Sequence, residues 1–215
     1  MNKHKFIIPK SIFLLIILSL VLNILRVFIF GKLSLIYVIW NLFLAFIPFV
    51  ISSFLLEYSN RNKLNNISFW IWGIVWFLFI PNSPYIVTDL IHIGEIHNVP
   101  IIYDAFLLFS SAWTGLLLGM YSMFHMEKII KAKYSQKIAS ISIFIVMFFS
   151  SFGIFIGRFL RFNSWDIVSK PISIINGIIN VFMDKSDYLL AVLYTLLFLF
   201  FISMSYYSWK STQEK

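Results

Sequence analysis

Two short stretches of this sequence concentrate the side chains that can do chemistry. The first contains Asp89 and His92, and the second contains Arg158 and Arg161. A carboxylate beside an imidazole can orient a general base or help to bind a divalent metal such as zinc. A pair of guanidinium groups can clamp a phosphate or a carboxylate. The two stretches together predict a polar site that handles protons and binds an anion.

Residue spacing predicts how each stretch presents these groups. If residues 84–93 are helical, an i, i+4, i+7 pattern places Tyr85, Asp89 and His92 on one face. The two arginines are three residues apart, which also places them on one helix face. We therefore take Asp89 and His92 as candidates for proton handling. The candidates for substrate binding are Tyr85, Arg158, Arg161 and Asp166.

A metal site would need ligands from the same region of the chain. His92 and His97 are five residues apart, which is about 140° around a helix. They form a poor pair unless the helix ends first, and Gly94 offers such an end. The spacing matches no standard metal pattern, such as His-Glu-x-x-His. A divalent metal thus remains an open possibility, with candidate ligands His92, Glu95, His97 and Asp104.

Structural roles compete with these functional ones. Asp89 could cap a helix while His92 faces water at the membrane interface. The two arginines could pair with nearby carboxylates and simply hold helices together. The sequence leaves both alternatives open.

Composition places the two stretches in a membrane protein. The 215 residues are 60% hydrophobic and 12% charged, whereas soluble domains carry about 25% charged residues. A chain of this size cannot bury so much apolar surface in water, so much of it must face lipid. We predict an all-α, polytopic transmembrane helix bundle of about six spans. The absence of cysteine excludes disulfides, thiolate metal sites and cysteine nucleophiles.

The apolar segments predict one integral membrane domain over residues 1–215. A helix rises about 1.5 Å per residue and must cross a hydrocarbon core of roughly 30 Å. Residues 171–183 are too few to cross and are predicted to form an interfacial helix. The Gly-x-x-x-Gly formed by Gly115 and Gly119 is predicted to serve close packing. The predicted spans are about 11–30, 34–56, 67–93, 101–125, 138–160 and 188–209.

Proline interrupts the third of these spans. Residues 67–80 cover only about 21 Å at the helical rise, which is short of the hydrocarbon core. Either this helix tilts or thins the bilayer, or it breaks at Pro81–Pro84 and then resumes. We favour the break, because Ser83 suits an N-cap and Pro84 suits the first helical position. Such breaks occur at membrane depth where protein or a watery cavity surrounds them.

Positive charge predicts the orientation of the chain. Six spans put both termini on one side, and eleven of the 17 basic residues fall there, so both termini are predicted to be cytoplasmic. The same rule accounts for the net charge of +8 without a nucleic-acid partner. Both polar stretches then emerge on the outer face, and Arg26 is predicted to snorkel to that interface. The basic residues on the outer side are Arg26, Lys32, Arg158, Arg161, Lys170 and Lys185.

The two polar stretches also resemble the hallmark blocks of a family of uncharacterised bacterial membrane proteins, the domain of unknown function 1361 family. The resemblance implies an integral membrane protein of several helices, and it supplies no activity. We predict that the chain lies in the bacterial cytoplasmic membrane. The first block comprises Pro81, Asn82, Pro84, Tyr85, Thr88, Asp89 and His92. The second comprises Gly157, Arg158, Arg161, Asn163, Ser164, Trp165 and Asp166.

Three classes of function compete for this chain. The first is a non-catalytic membrane component, such as an assembly or stress-related subunit, with a polar, anion-binding site. The second is an enzyme that acts on an envelope lipid or phosphorylated headgroup, in which the arginines hold the anion while Asp89 and His92 handle the proton. The third is a small-solute or ion transporter, although the internal repeats of many transporters are not visible. The predicted partners are the bilayer and a lipid or anionic ligand, and protein partners cannot be read from the sequence.

Overall fold

The computed structural model of the chain describes residues 9–94 and 99–213. These residues form helices joined by short connections, and they contain no β-strand. Six helical segments are long and apolar enough to cross a membrane. The predicted all-α, polytopic helix bundle is therefore confirmed.

The helices alternate in direction, so one end of the bundle collects the end of the first span and the beginning of the fourth. We call this the Asp89 end. In chain order the helices are α1 Lys10–Phe30, α2 Tyr37–Asn60, α3 Asn66–Phe79, α4 Asn82–Tyr85, a 3₁₀ helix Ile86–His92, α5 Ile101–Lys133, α6 Gln136–Phe155, a π-helix Ile156–Leu160, α7 Asp166–Ser169, α8 Pro171–Met183 and α9 Lys185–Gln213.

The third span is interrupted where the prolines predict. The backbone stays right-handed through Pro81, with φ −59° and ψ −26°, so the segment changes its winding without reversing direction. The amide of Asn82 donates a hydrogen bond of 2.9 Å to the Phe79 carbonyl, which would otherwise be left open at the end of α3. The predicted N-cap role of Ser83 is wrong. Its hydroxyl donates instead to the Ala45 carbonyl on α2, at 3.2 Å.

Two glycines of α5 make room for the interrupted segment. A Cβ added at Gly115 would lie 2.8 Å from both the Ser83 carbonyl oxygen and the Ile86 Cδ1. A Cβ added at Gly119 would lie 2.9 Å from the Ser83 Cβ. Real Cβ atoms do not approach other atoms so closely, so this Gly-x-x-x-Gly packs against the chain at its interruption.

A second pair of glycines, on α6 and the π-helix, packs against the other side of the same segment. A Cβ added at Gly153 would lie 3.3 Å from the Pro81 ring, and one at Gly157 would lie 3.1 Å from the Tyr85 ring. The segment is therefore held between α5 and α6. This close approach brings the two polar stretches of the sequence together.

A buried ion pair fixes α1 to α5 at the Asp89 end. The Nε and Nη2 atoms of Arg26 donate to the two carboxylate oxygens of Asp104, at 2.7 and 3.2 Å. Both side chains are 1% exposed, and Nη1 of the arginine donates to the Lys32 carbonyl at 3.0 Å. The prediction that Arg26 snorkels to the interface is wrong, because a carboxylate at the same depth offers it a bidentate partner inside the bundle.

At the opposite end, α5 extends beyond its predicted span of 101–125 and reaches Lys133. Hydropathy marks where the apolar stretch stops, whereas the helix continues into polar surroundings. This extension carries Glu127, whose carboxylate accepts hydrogen bonds from Tyr206 at 2.5 Å and Lys210 at 2.7 Å, both on α9. The end of α9 is thereby fastened to α5.

Candidate functional site

Arg158 connects the two polar stretches at the Asp89 end. Its Nη2 lies 2.9 Å from Nε2 of His92, within hydrogen-bond distance. Its Nη1 lies 3.6 Å from Oδ1 of Asp89, as an ion pair. Three of the predicted site residues are therefore brought into one cluster, although the chain separates the arginine from the histidine by 66 residues.

Both arginines lie in unusual backbone conformations, which set the directions of their side chains. Arg158 lies in the π-helix, a wider winding that is found frequently at functional sites. Arg161 ends this helix in the left-handed conformation, with φ 57°. That conformation costs a residue other than glycine roughly 1–2 kcal/mol. Because the chain leaves the helical conformation at Arg161, the two arginines do not lie on one continuous helix face. The chain then continues into the loop at residues 163–165.

Asn41 completes the cluster from α2. Its side-chain amide donates to Oδ2 of Asp89 at 2.8 Å, and the carboxylate is almost fully buried, at 1% exposure. Our sequence reasoning missed this residue. The available signal was a single asparagine inside an apolar span, because polar side chains within a membrane segment are costly and are usually retained for a purpose.

The contact with Arg158 defines the hydrogen-bonding role of Nε2 in the His92 imidazole. A guanidinium group can only donate hydrogen bonds, so Nε2 of the histidine must accept. In this arrangement Arg158 occupies the Nε2 lone pair that a general base would use. Movement of Arg158 towards an anion would free this lone pair.

A pocket of about 590 Å³ opens beside this cluster. This volume falls within the range of roughly 300–1,000 Å³ that is usual for small-molecule sites. Its polar lining consists of Asn41, Asn82, Tyr85, His92, Arg158, Arg161, Asn163 and Ser164. Its apolar lining includes Trp40, Leu44, Leu78, Ile156, Ile167 and Ile174.

Arg161 lines this pocket with an exposed side chain. Among residues 9–94 and 99–213, no side chain forms a hydrogen bond or ion pair with its guanidinium group. In the described part of the chain, Asp89 is the carboxylate that pairs with Arg158, and it does not line the pocket. The described pocket therefore carries an excess of positive charge and a set of unused N–H donors.

Asp166 is the first residue of α7 and lies outside the described pocket lining. Its Oδ2 accepts from the Asn163 backbone amide at 2.8 Å, and its Oδ1 accepts from the Ser169 hydroxyl at 3.1 Å. These bonds, chiefly the one from the Asn163 amide, hold the pKa of the Asp166 carboxyl below its ordinary value. Asp166 thus caps the turn that follows Arg161, and its predicted contact with a ligand has no support from this geometry.

The candidate metal ligands are dispersed or already engaged. Nε2 of His92 contacts Arg158, and both oxygens of Asp104 bind Arg26. Glu95 and His97 lie outside the described residues. Within the described ranges, no group of three or more histidine, aspartate and glutamate side chains is placed to hold a metal ion. The metal site stays a prediction.

Replacing Asn41 with leucine should destabilise the protein by about 2 kcal/mol. The reason is that the buried Oδ2 of Asp89 loses the hydrogen bond that it accepts from the Asn41 side-chain amide. The measurement is the free energy of unfolding in mixed micelles titrated with sodium dodecyl sulfate. Asn60 provides the control, since it is exposed at the last residue of the same helix. Equal losses for Asn41→Leu and Asn60→Leu would show that the bond to Asp89 contributes nothing.

Comparison with known proteins identifies one match. A family model described as "Protein of unknown function (DUF1361)" matches residues 40–203, which include both polar stretches and the whole described lining of the pocket. No curated protein and no solved structure matches the chain.

Proposed function

This chain belongs to the DUF1361 family of proteins of unknown function, and we propose that it is a non-catalytic membrane component that binds an anionic ligand in the pocket at its Asp89 end. The observation that carries the proposal is Arg161, whose guanidinium group lines the pocket and has no partner among the described residues. Arg158 and Asn41 line the same space and add further N–H donors. Such a lining suits a phosphate or a carboxylate.

Two observations favour ligand binding over a purely structural role for this cluster. A structural cluster would pair its charges completely and leave no cavity between them. Here a pocket of about 590 Å³ remains, and one of its two arginines stays available. The structural role is fulfilled elsewhere, by Arg26 and Asp104, which are buried and saturated with hydrogen bonds.

A transport path receives less support from the described residues. Such a path would continue from the pocket towards the opposite end of the bundle through polar side chains. The pocket is instead lined by Leu44 and Leu78, and further along the same helices and α6 lies a buried apolar cluster that contains Leu55, Trp76 and Met147. We therefore do not favour a transporter.

We further propose that the chain is one domain in the bacterial cytoplasmic membrane, with both termini in the cytoplasm. The support is the excess of lysine and arginine on the side of the termini. In this orientation the Asp89 end faces outwards, so the pocket would receive its ligand from the extracytoplasmic side.

An enzyme is the second candidate, and the contact between Arg158 and His92 favours it. Nε2 of the imidazole lies 2.9 Å from Nη2 of Arg158, a side chain that an anion would attract. Binding of a phosphorylated headgroup would draw Arg158 away and free His92 to accept a proton. Asp89 would then keep Arg158 oriented through their ion pair.

Replacing Arg161 with glutamine should weaken the binding of pyrophosphate by about 10- to 100-fold, since a hydrogen bond to a charged group is worth roughly 1.5–3 kcal/mol. The measurement is isothermal titration calorimetry of the purified protein in maltoside micelles. Arg61→Gln is the matched control, because Arg61 is half exposed and pairs with Glu57 at the other end of α2. Unchanged affinity in Arg161→Gln, or equal losses in both variants, would contradict the proposal.

A further inference from the structure

We propose that the bound anion is the phosphate group of a membrane lipid, which enters the pocket sideways from the bilayer. This inference rests on the proposed anion binding and names the source of the anion. It is carried by the polarity, exposure and depth of the walls of the pocket.

On three helices, the residues that line the pocket change from polar to apolar with distance from the Asp89 end. On α2, Asn41 is followed about one turn later by Leu44, and on the third span Asn82 is preceded about one turn earlier by Leu78. The π-helix repeats this order, with Arg158 nearer the Asp89 end than Ile156. One turn of helix is about 5.4 Å. A ligand that fills this space carries its anion at one end and a hydrocarbon part at the other.

The rim of the pocket is apolar and exposed. Trp40 and Ile167 line the pocket, yet their side chains are 53% and 46% exposed. The Trp40 ring packs edge to face against the Trp165 ring, with centroids 6.4 Å apart. Tryptophan is enriched at the membrane interface, where it contacts both headgroups and chains. The mouth is therefore suited to lipid at its sides.

Helix α8 gives the depth of the pocket in the membrane. Its 13 residues cover about 20 Å at the helical rise, too little to cross the bilayer. It exposes an apolar row to the surroundings, formed by Ile172, Ile175, Ile179 and Phe182. Such a helix lies in the interface with that row in the lipid. Because α8 also supplies Ile174 to the pocket wall, the pocket lies at the level of lipid phosphates.

Charge and size agree with this occupant. The two guanidinium groups at the polar end match a phosphodiester, and guanidinium is the side-chain group best suited to phosphate. A pocket of about 590 Å³ holds a headgroup and the first part of the acyl chains, while the remaining chain stays in the bilayer. A free inorganic anion would leave the Leu44 and Leu78 end empty.

The experiment compares three probes on the full chain in maltoside micelles, a detergent without phosphate. Phosphatidylglycerol carries both parts of the ligand, glycerophosphoglycerol carries only the same phosphodiester, and diacylglycerol carries only the chains. Native mass spectrometry measures the two lipids, and calorimetry measures the soluble headgroup. We expect phosphatidylglycerol to bind at least tenfold more tightly than either of the other probes.

Variants separate the two ends of the site. Arg161→Gln should weaken phosphatidylglycerol and glycerophosphoglycerol alike by at least tenfold. Leu78→Trp, which fills the apolar end, should weaken phosphatidylglycerol by at least fivefold and leave glycerophosphoglycerol unchanged. Ile156→Trp, at the apolar end of the pocket on the π-helix, makes the same test if Leu78→Trp does not fold. Leu193→Trp is the control, because this side chain is 55% exposed on α9.

Each result has a definite meaning. If glycerophosphoglycerol binds as tightly as the lipid and Leu78→Trp changes neither affinity, the lipid inference fails and anion binding survives. If no phosphate probe binds saturably, both proposals fail. If diacylglycerol binds as tightly as phosphatidylglycerol, the site recognises chains without phosphate, and both proposals fail for that different reason.

Discussion

Replacing Arg26 with methionine is expected to lower the free energy of unfolding by about 3–5 kcal/mol, the largest effect of any substitution considered. The cause is the Asp104 carboxylate, which is 1% exposed and would lose its bidentate partner. Methionine fills much of the volume of the arginine stem, so the loss reports mainly the unpaired charge. Titration with sodium dodecyl sulfate in mixed micelles measures this change.

Two further variants distinguish the energetic effect of the ion pair from that of the volume its side chains fill. The double variant Arg26→Met with Asp104→Leu should recover most of the loss, because apolar side chains replace a buried ion pair without its desolvation cost. Arg61→Met removes an arginine that is 50% exposed and paired with Glu57, and it should cost no more than about 1 kcal/mol. A double variant as unstable as Arg26→Met would mean that shape, rather than charge, holds α1 to α5.

Replacing Gly115 with alanine is expected to cost about 3 kcal/mol, at the upper end of the usual range for overpacking. The new Cβ would lie 2.8 Å from the Ser83 carbonyl oxygen, a backbone atom that cannot rotate away. The interrupted segment must then shift as a unit. Since that segment also carries Tyr85 and Asp89, pyrophosphate binding should weaken together with stability.

Gly73→Ala is the matched control, because it is also a glycine in a membrane-spanning helix. A Cβ added at Gly73 meets nothing within 4 Å. Its replacement should leave stability unchanged or raise it by about 0.5–1 kcal/mol, as alanine favours the helix. If the two variants were equally stable, the close approach of α5 to the interrupted segment would make no contribution to the free energy of unfolding.

The geometry around Arg158 suggests how binding and orientation are linked. The guanidinium group contacts Asp89 and His92, and Arg158 also lines the pocket. Asn41 holds Asp89 by a hydrogen bond, so under the proposed anion binding the carboxylate would stay in place if Arg158 turned towards the ligand. Arg161, which has no partner in the described ranges, can meet the anion first.

The sequence by itself determined the class of molecule and the positions of its helices. Apolar runs long enough for the hydrocarbon core predict the spans, and helical rise relates their lengths directly to thickness. The interruption at Pro81 was also readable, since proline removes a donor and crowds the preceding turn. The side chains that now surround Arg158 were recognisable as well, because polar groups stand out against apolar spans.

Only the tertiary structure decided which of these groups meet. Arg26 pairs with Asp104 across 78 residues, and Asn41 reaches Asp89 across 48. Asp166 accepts a hydrogen bond from the Asn163 amide in the preceding turn, although the sequence places it in the same block as Arg158. Hydropathy and spacing are local along the chain, whereas an ion pair depends on the depth and rotation of two packed helices. Those are set by contacts such as Gly115 against Ser83, which no single segment contains.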